Sequence, residues 1–167
     1  VRAWTDAGHS IPVSVNLSAR NLLDEHLPDQ VAALLLEHDV PGRMLNLEVT
    51  ESAIMTDPAR AERLLVRLQA LGATIAIDDF GVGYTSLAQL KNLPVNELKV
   101  DRSFVTSMDM DADNALIVQS VVGIGHNLGL VVVAEGIESQ EVIVALGELG
   151  CDIAQGYHYS RPLPADD

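Results

Sequence analysis

The sequence predicts an α/β fold in which a parallel β-sheet is covered by helices. Six short segments rich in Val, Ile and Leu are apolar almost throughout, as expected of strands buried on both faces. They alternate with longer segments whose apolar residues recur every three or four positions, a spacing typical of amphipathic helices. Several of these helical segments are followed by a glycine, which commonly ends a helix. Such an alternation along one chain indicates strand–helix–strand units.

The first half of the chain contains three predicted strands. Pro28 suits the first turn of the helix that follows the first strand, and Asp57-Pro58 begins the helix that follows the second. Gly8 and Gly72 end helices. The predicted elements of this half are a helix ending at Gly8, strand 12–18, helix 27–35, strand 45–51, helix 57–71 and strand 73–77.

The second half repeats the pattern with three further strands. Leu116, Val121 and Leu128 lie on one face of a long predicted helix, which ends at Gly129. Ser139 is a suitable N-cap for the last helix. The predicted elements are a short helix 85–90, strand 97–101, helix 116–128, strand 130–134, helix 139–149 and strand 152–155.

The composition predicts one domain with an aliphatic core, because 48% of the 167 residues are hydrophobic and only 4% are aromatic. The formal charge of -14 argues against nucleic-acid polymers and anionic membrane surfaces as partners. Cys151 is the only cysteine, which excludes disulfides within the chain and thiolate zinc sites. No apolar run approaches membrane-spanning length. We therefore expect a single domain over 1–167 in the cytoplasm, or in the cytoplasmic part of a membrane-anchored protein, without direct membrane contact.

Polar side chains follow the carboxyl end of every predicted strand. The adjacent acids Asp78 and Asp79 end the third strand, and burying two like charges is costly unless cations or donors compensate them. The carboxyl ends of the strands share one face in α/β folds, and that face carries the active site. The candidate site residues at the strand ends are Asn16, Glu48, Glu51, Asp78, Asp79, Lys99, Asp101, Glu135, Glu138 and Gln155.

These residue types point to a hard divalent cation. Oxygen ligands without histidine or cysteine favour Mg²⁺ or Mn²⁺. Adjacent aspartates such as Asp78 and Asp79 can bridge two metals about 3.5–4 Å apart, a geometry that splits phosphoesters by water attack. Lys99 would keep its charge among these acids, where it could orient a water molecule or stabilise developing negative charge.

Simpler interpretations remain open for single residues. Asp79, Asp101 and Glu138 could each cap a following helix, and Lys99 could form a structural ion pair. The glycines of 81–83 could cradle a phosphate, although two glycines in a short loop more often permit a tight turn.

Taken together, the motifs resemble the EAL-domain phosphodiesterases of bacterial cyclic di-GMP signalling. The resemblance implies a modified (β/α)₈ barrel that hydrolyses cyclic di-GMP to linear pGpG with two Mg²⁺ or Mn²⁺ ions. It also implies a homodimer and a further sensory or regulatory domain in the parent protein. The matching stretches, which occur in family order across the whole chain, are 14–18, 47–52, 77–87, 98–105, 133–138 and 155–163.

The same resemblance implies a role for each candidate residue. Asp78 would bridge two metals, Lys99 would contact the attacking water, and Glu51 would anchor the 79–87 loop that couples dimerisation to catalysis in the family. The implied metal ligands are Asn16, Glu48, Asp78, Asp79 and Glu135; the implied catalytic residues are Lys99, Glu51 and Glu138; and the implied substrate-binding residues are Gln155 and Asp101.

Two family features are absent from 1–167. These are the Glu-Ala-Leu motif, whose glutamate is a metal ligand, and a nearby arginine that contacts substrate phosphate; both are expected before Val1. With six strands where the barrel needs eight, we expect a TIM-like (β/α) barrel that is incomplete in this chain. Val82 stands where the family usually has threonine, a change we expect to be tolerated.

The sequence leaves two other functions open. One is a catalytically inactive EAL-type receptor for cyclic di-GMP or a partner-binding module, because a ligand glutamate and a substrate arginine are missing from this span. The other is a different metal-dependent barrel, such as an enolase-like enzyme that uses acids and a lysine for proton abstraction.

Overall fold

The structure is a computed structural model that describes residues 1–82 and 87–164. Within these ranges six parallel strands alternate with helices, as predicted, and the described residues fall into two compact units. The first unit contains Val1–Asp78 and 87–96, and the second contains Asp79–Val82 and 97–164. The elements are α1 (Arg2–Asp6), β1 (Val13–Leu17), α2 (Ala19–Leu22), α3 (Leu27–Glu37), a 3₁₀ turn (Gly42–Met44), β2 (Leu45–Thr50), α4 (Glu51–Thr56), α5 (Pro58–Ala70), β3 (Thr74–Phe80), α6 (Leu87–Leu90), β4 (Glu97–Val100), α7 (Arg102–Val105), α8 (Ala112–Asn127), β5 (Val131–Ala134), α9 (Gln140–Glu148) and β6 (Ile153–Ala154).

The first unit has β1, β2 and β3 as parallel neighbours in chain order. Its core is aliphatic: Val49, Leu65 and Leu68 have 0% exposure. Leu65 and Leu68 belong to the apolar face of α5, whose first turn is capped by the Asp57 side chain accepting the Arg60 N–H at 3.1 Å. The predicted helix after Asp57 is therefore confirmed.

The second unit has β4, β5 and β6 as parallel neighbours in chain order. Leu98, Val100 and Val132 are fully buried, in agreement with strands that are apolar on both faces. Gly125 of α8 lies so close to β5 that a methyl group built on it would be 2.4 Å from Cγ2 of Val132. The α8 helix therefore packs closely against β5.

Some element boundaries differ from the predictions. Glu51 begins α4 and does not end β2, because the Thr50 hydroxyl caps that helix by accepting the Ala53 N–H at 3.3 Å. Asp78 and Asp79 lie inside β3, which continues to Phe80, so the interpretation of Asp79 as a helix cap is wrong. The short helices α2 and α4 were not predicted, and α7 was anticipated only by the interpretation of Asp101 as a helix cap.

Part of one prediction lies outside the described residues. Gly83 of the proposed phosphate loop lies outside the described residues, and so do residues 84–86, which include the start of the predicted helix 85–90. The described part of that helix is α6, Leu87–Leu90. No helix in the described ranges is long and apolar enough to cross a membrane.

Candidate metal and phosphodiester site

Three predicted ligands of the first unit share one face of its sheet. Asn16 lies opposite Glu48 in the β1–β2 register, and Asp78 lies opposite Thr50 in the β2–β3 register. Because side chains alternate between the faces and paired residues point the same way, the side chains of all these residues lie on the same face. The Glu48 side chain is buried, with 8% exposure, whereas Asn16 is exposed.

Glu51, the predicted anchor of the 79–87 loop, is buried at the start of α4 with 4% exposure. A carboxylate in the first turn of a helix is favoured by the partial positive charge of the backbone N–H groups there. The position thus explains how the fold accommodates a buried acid at this point.

The second unit brings two further predicted ligands together. Asp79 and Glu135 offer carboxylate oxygens within 4.8 Å of each other. Asp79 has a left-handed backbone, with φ of 54°, which aspartate tolerates better than most residues. All donors in this group are carboxylate oxygens, so the donor chemistry fits Mg²⁺ or Mn²⁺.

Lys99 forms an ion pair with Glu135. The distance from its Nζ to Oε1 of Glu135 is 2.6 Å, and the two side chains are 5% and 22% exposed. The structural ion pair anticipated for Lys99 is therefore present. Its other predicted role, contact with the attacking water, stays a prediction.

Asp101 caps α7, as one interpretation of the sequence predicted. Its carboxylate accepts hydrogen bonds from the Ser103 N–H at 2.8 Å and from the Ser103 hydroxyl, and the Asp79 side chain lies close enough to influence its pKa. Burial raises the pKa of Asp101, but the Ser103 hydrogen bonds, the contact with Asp79 and the charge of Arg102 bring its pKa below the ordinary value. Asp101 thus links the start of α7 to a candidate metal ligand.

A cleft of about 200 Å³ within the second unit contains the remaining candidates. Glu135, Glu138 and Gln155 line it together with Arg102 and Tyr157. The interpretation of Glu138 as a helix cap is wrong, because α9 is capped by the Ser139 hydroxyl.

Sequence reasoning did not single out Arg102 and Tyr157. Arg102 directly follows the strand-end residue Asp101, and Tyr157 is two residues after the strand-end residue Gln155. This closeness in sequence to candidate residues was the signal that could have identified them. The guanidinium of Arg161 lies 5.5 Å from the centre of the Tyr157 ring. The cleft thus combines acidic, amide, cationic and aromatic groups.

The chain belongs to the EAL domain family, whose model matches residues 1–162. Membership of this family confirms the family resemblance and the TIM-like barrel class expected from the sequence.

The chain is similar to several proteins of Pseudomonas aeruginosa. It is 44% identical over 167 residues to the bifunctional diguanylate cyclase/cyclic di-GMP phosphodiesterase MucR, covering 99% of this chain and 24% of MucR. It is 39% identical over 163 residues to the cyclic di-GMP phosphodiesterase RocR, covering 98% of this chain and 42% of RocR. The chain therefore spans less than half the length of these relatives.

A solved structure of the PaMucR phosphodiesterase in complex with c-di-GMP has the same fold. The TM-score is 0.94 at 44% identity, and the match covers 99% of this chain and 67% of that one. The six strands and their helices are accordingly those of an EAL domain.

Proposed function

We propose that this chain is the larger part of a domain that hydrolyses cyclic di-GMP to linear pGpG with two Mg²⁺ or Mn²⁺ ions. The observation that carries the proposal is the convergence of Asp79 and Glu135 in the second unit, with the buried Lys99 paired to Glu135. Carboxylates so close together repel each other, and a divalent cation would compensate for that repulsion in addition to the Lys99 ammonium.

The proposed metal ligands are Asn16, Glu48, Asp78, Asp79 and Glu135. The shared sheet face of Asn16, Glu48 and Asp78 supports their acting together. When bound, two such ions would activate a water molecule and neutralise charge on the phosphodiester. The chain itself would contribute the side-chain oxygens that bind the ions.

Lys99 and Asp101 keep these donors in place in the proposed mechanism. The Lys99 ammonium holds one oxygen of Glu135, and its positive charge would favour a phosphate oxygen beside that carboxylate. Asp101 lies beside Asp79 and limits the positions that its side chain can take. Both residues therefore restrict the positions of the carboxylates before substrate binds.

The cleft beside Glu135 is proposed to bind the substrate. Gln155 offers amide donors and an acceptor, Arg102 offers a cation for phosphate, and Glu138 offers a carboxylate for proton transfer. Glu51 is proposed to support the loop that follows Asp79. The anionic substrate would then meet cations in a chain whose overall charge is -14.

The protein is further proposed to act in the cytoplasm as a homodimer with an additional sensory or regulatory domain. The greater length of MucR and RocR supports the additional domain, since this chain covers 24% and 42% of them. The domain assignment is one partial EAL domain over 1–167. The match to the EAL family argues against the enolase-like alternative.

Incubation of the full-length protein with cyclic di-GMP and Mg²⁺ tests the proposal, with pGpG measured by chromatography. We expect pGpG to form, and Asp79→Asn to lower the rate at least about 100-fold, because the substitution removes a proposed metal ligand. Asp109→Asn, which removes an exposed carboxylate outside the site, is the control and should retain the rate. Binding of cyclic di-GMP without any pGpG would favour the receptor alternative and contradict the proposal.

A further inference from the structure

The short helix α7 lies between the backbone segments that carry Asp79 and Glu135. On one side, Phe104 contacts Gly81: a methyl group built on Gly81 would lie 3.1 Å from Cε2 of Phe104. On the other side, a methyl group built on Gly136 would lie only 2.5 Å from Cβ of Arg102. Both segments therefore pack closely against the helix, with no space for a side chain at Gly136 and little space at Gly81.

Each contact lies beside a candidate metal ligand. Gly81 is two residues after Asp79, and Gly136 directly follows Glu135. Asp101, the N-cap of α7, also interacts with the Asp79 side chain. Oγ1 of Thr106, which follows the helix, would lie 3.3 Å from the methyl group built on Gly136. The helix and its two capping residues thus contact both segments.

We propose that α7 is a spacer that sets the separation between the carboxylates of Asp79 and Glu135, with Phe104 and Arg102 as positioning residues. This inference rests on the proposed function, because the separation matters only if the two carboxylates hold a divalent cation. Close-packed interiors transmit small displacements, and metal ligands must be placed within a few tenths of an ångström. Shifting α7 therefore moves one carboxylate relative to the other.

Gly136→Ala is the first test, with Gly129→Ala as its matched control. The two glycines have nearly the same backbone conformation, with φ of 74° and 73°, but nothing lies within 4 Å of a methyl group built on Gly129. Both variants carry the same left-handed strain, so only the contact with α7 differs between them.

The measurement is the Mn²⁺ affinity of the full-length protein by titration calorimetry. We expect Gly136→Ala to weaken Mn²⁺ binding by roughly 10- to 100-fold, as found when residues that support metal ligands are changed. Gly129→Ala should leave the affinity unchanged. Equal affinities in the two variants would contradict the spacer role.

Phe104→Ala is a second test in case Gly136→Ala fails to fold. Removing the ring frees Gly81, so the Mn²⁺ affinity and the kcat for cyclic di-GMP should both fall while KM changes little. Phe104→Leu keeps apolar bulk against Gly81 and should restore part of both values. Val144→Ala, which truncates an exposed side chain on α9, should change neither.

The outcomes separate the spacer from the proposed function. If the wild-type protein binds Mn²⁺ and forms pGpG while Phe104→Ala keeps the wild-type affinity, only the spacer role is wrong. If the wild-type protein binds no Mn²⁺, the proposed function is wrong, and the spacer role fails with it.

Discussion

Lys99 and Glu135 form an ion pair that is largely shielded from solvent. The two side chains are 5% and 22% exposed. These exposed fractions are far smaller than those of the side chains in the surface pairs of Arg2 with Asp6 and Asp39. Attraction between charges is stronger where water is excluded, and loss of one partner leaves the other poorly solvated. The strength of the pair therefore depends on both residues being present.

We expect Lys99→Met to lower the free energy of unfolding of the metal-free protein by about 1–3 kcal/mol. The value is below that for a fully buried pair because Glu135 keeps contact with solvent, with 22% of its side chain exposed. Urea unfolding in the presence of EDTA measures it. Arg2→Met, which removes only exposed ion pairs, should have a much smaller effect; an equal effect would show that the burial of Lys99 adds nothing.

The long helices were easier to predict from the sequence than most of the short ones. The α5 and α8 helices span several turns, so their apolar spacing, with Gly72 and Gly129 after them, indicated both. The α7 helix has four residues, too few to show a period, and its N-cap Asp101 was one of two interpretations for that position. Contacts such as Phe104 with Gly81 depend on packing between segments distant in sequence, which no local pattern encodes.

The sequence also predicted only part of the candidate site. The polar strand ends indicated the carboxylates, because strand direction alone places them on one face. A structural ion pair was one of two interpretations for Lys99, but the sequence named no partner, because the 2.6 Å contact with Glu135 depends on three-dimensional positions. The cleft residues Arg102 and Tyr157 were missed because the prediction considered only the polar residues that end an apolar run, and these two residues lie beyond such ends.

Asp152 connects three elements at the start of β6. Its Oδ2 accepts the Val132 N–H of β5 at 2.8 Å and lies 3.0 Å from Nε2 of His126 in α8. The backbone N–H of Val132, followed by His126, lowers the pKa of Asp152 below its ordinary value, against the effect of burial. The charged form of this carboxylate therefore stabilises the folded state.

The stability contribution of Asp152 should depend on pH. A lowered pKa in the folded state means that the contribution is present above the unfolded-state pKa of about 3.9 and is lost as pH falls through the folded-state pKa. We expect Asp152→Asn to be less stable than wild type at pH 7, with the difference shrinking as the pH falls below about 4. Urea unfolding across this range measures it, with Asp109→Asn as control; a difference independent of pH would contradict the role of the charge.

At the scale of the whole molecule, negative charge dominates. The chain carries 24 acidic residues against 10 Lys and Arg. Repulsion among so many acids opposes the compact state, most strongly where carboxylates are close, as Asp79 and Glu135 are. Divalent cations bound at that place would therefore stabilise the folded chain as well as support the proposed reaction.

We expect Mn²⁺ to raise the Tm of the full-length protein. At a free concentration of about 100 times Kd, binding to the folded state alone adds about 2.7 kcal/mol to the free energy of unfolding. Thermal unfolding with Mn²⁺ and then with excess EDTA measures the shift and its reversal. Asp79→Asn should lose most of the shift, whereas an undiminished shift in that variant would indicate binding elsewhere on the acidic surface.

The left-handed backbone of Asp79 restricts which amino acids can replace it. With φ of 54°, the position accepts Asn or Gly readily, but a β-branched residue there would add steric strain to the loss of a carboxylate. Asn keeps the shape and the backbone conformation while removing the charge. A single nucleotide change from an Asp codon reaches Asn or Gly, so evolution has short routes by which such a domain can lose its carboxylate and still keep this turn of the chain intact.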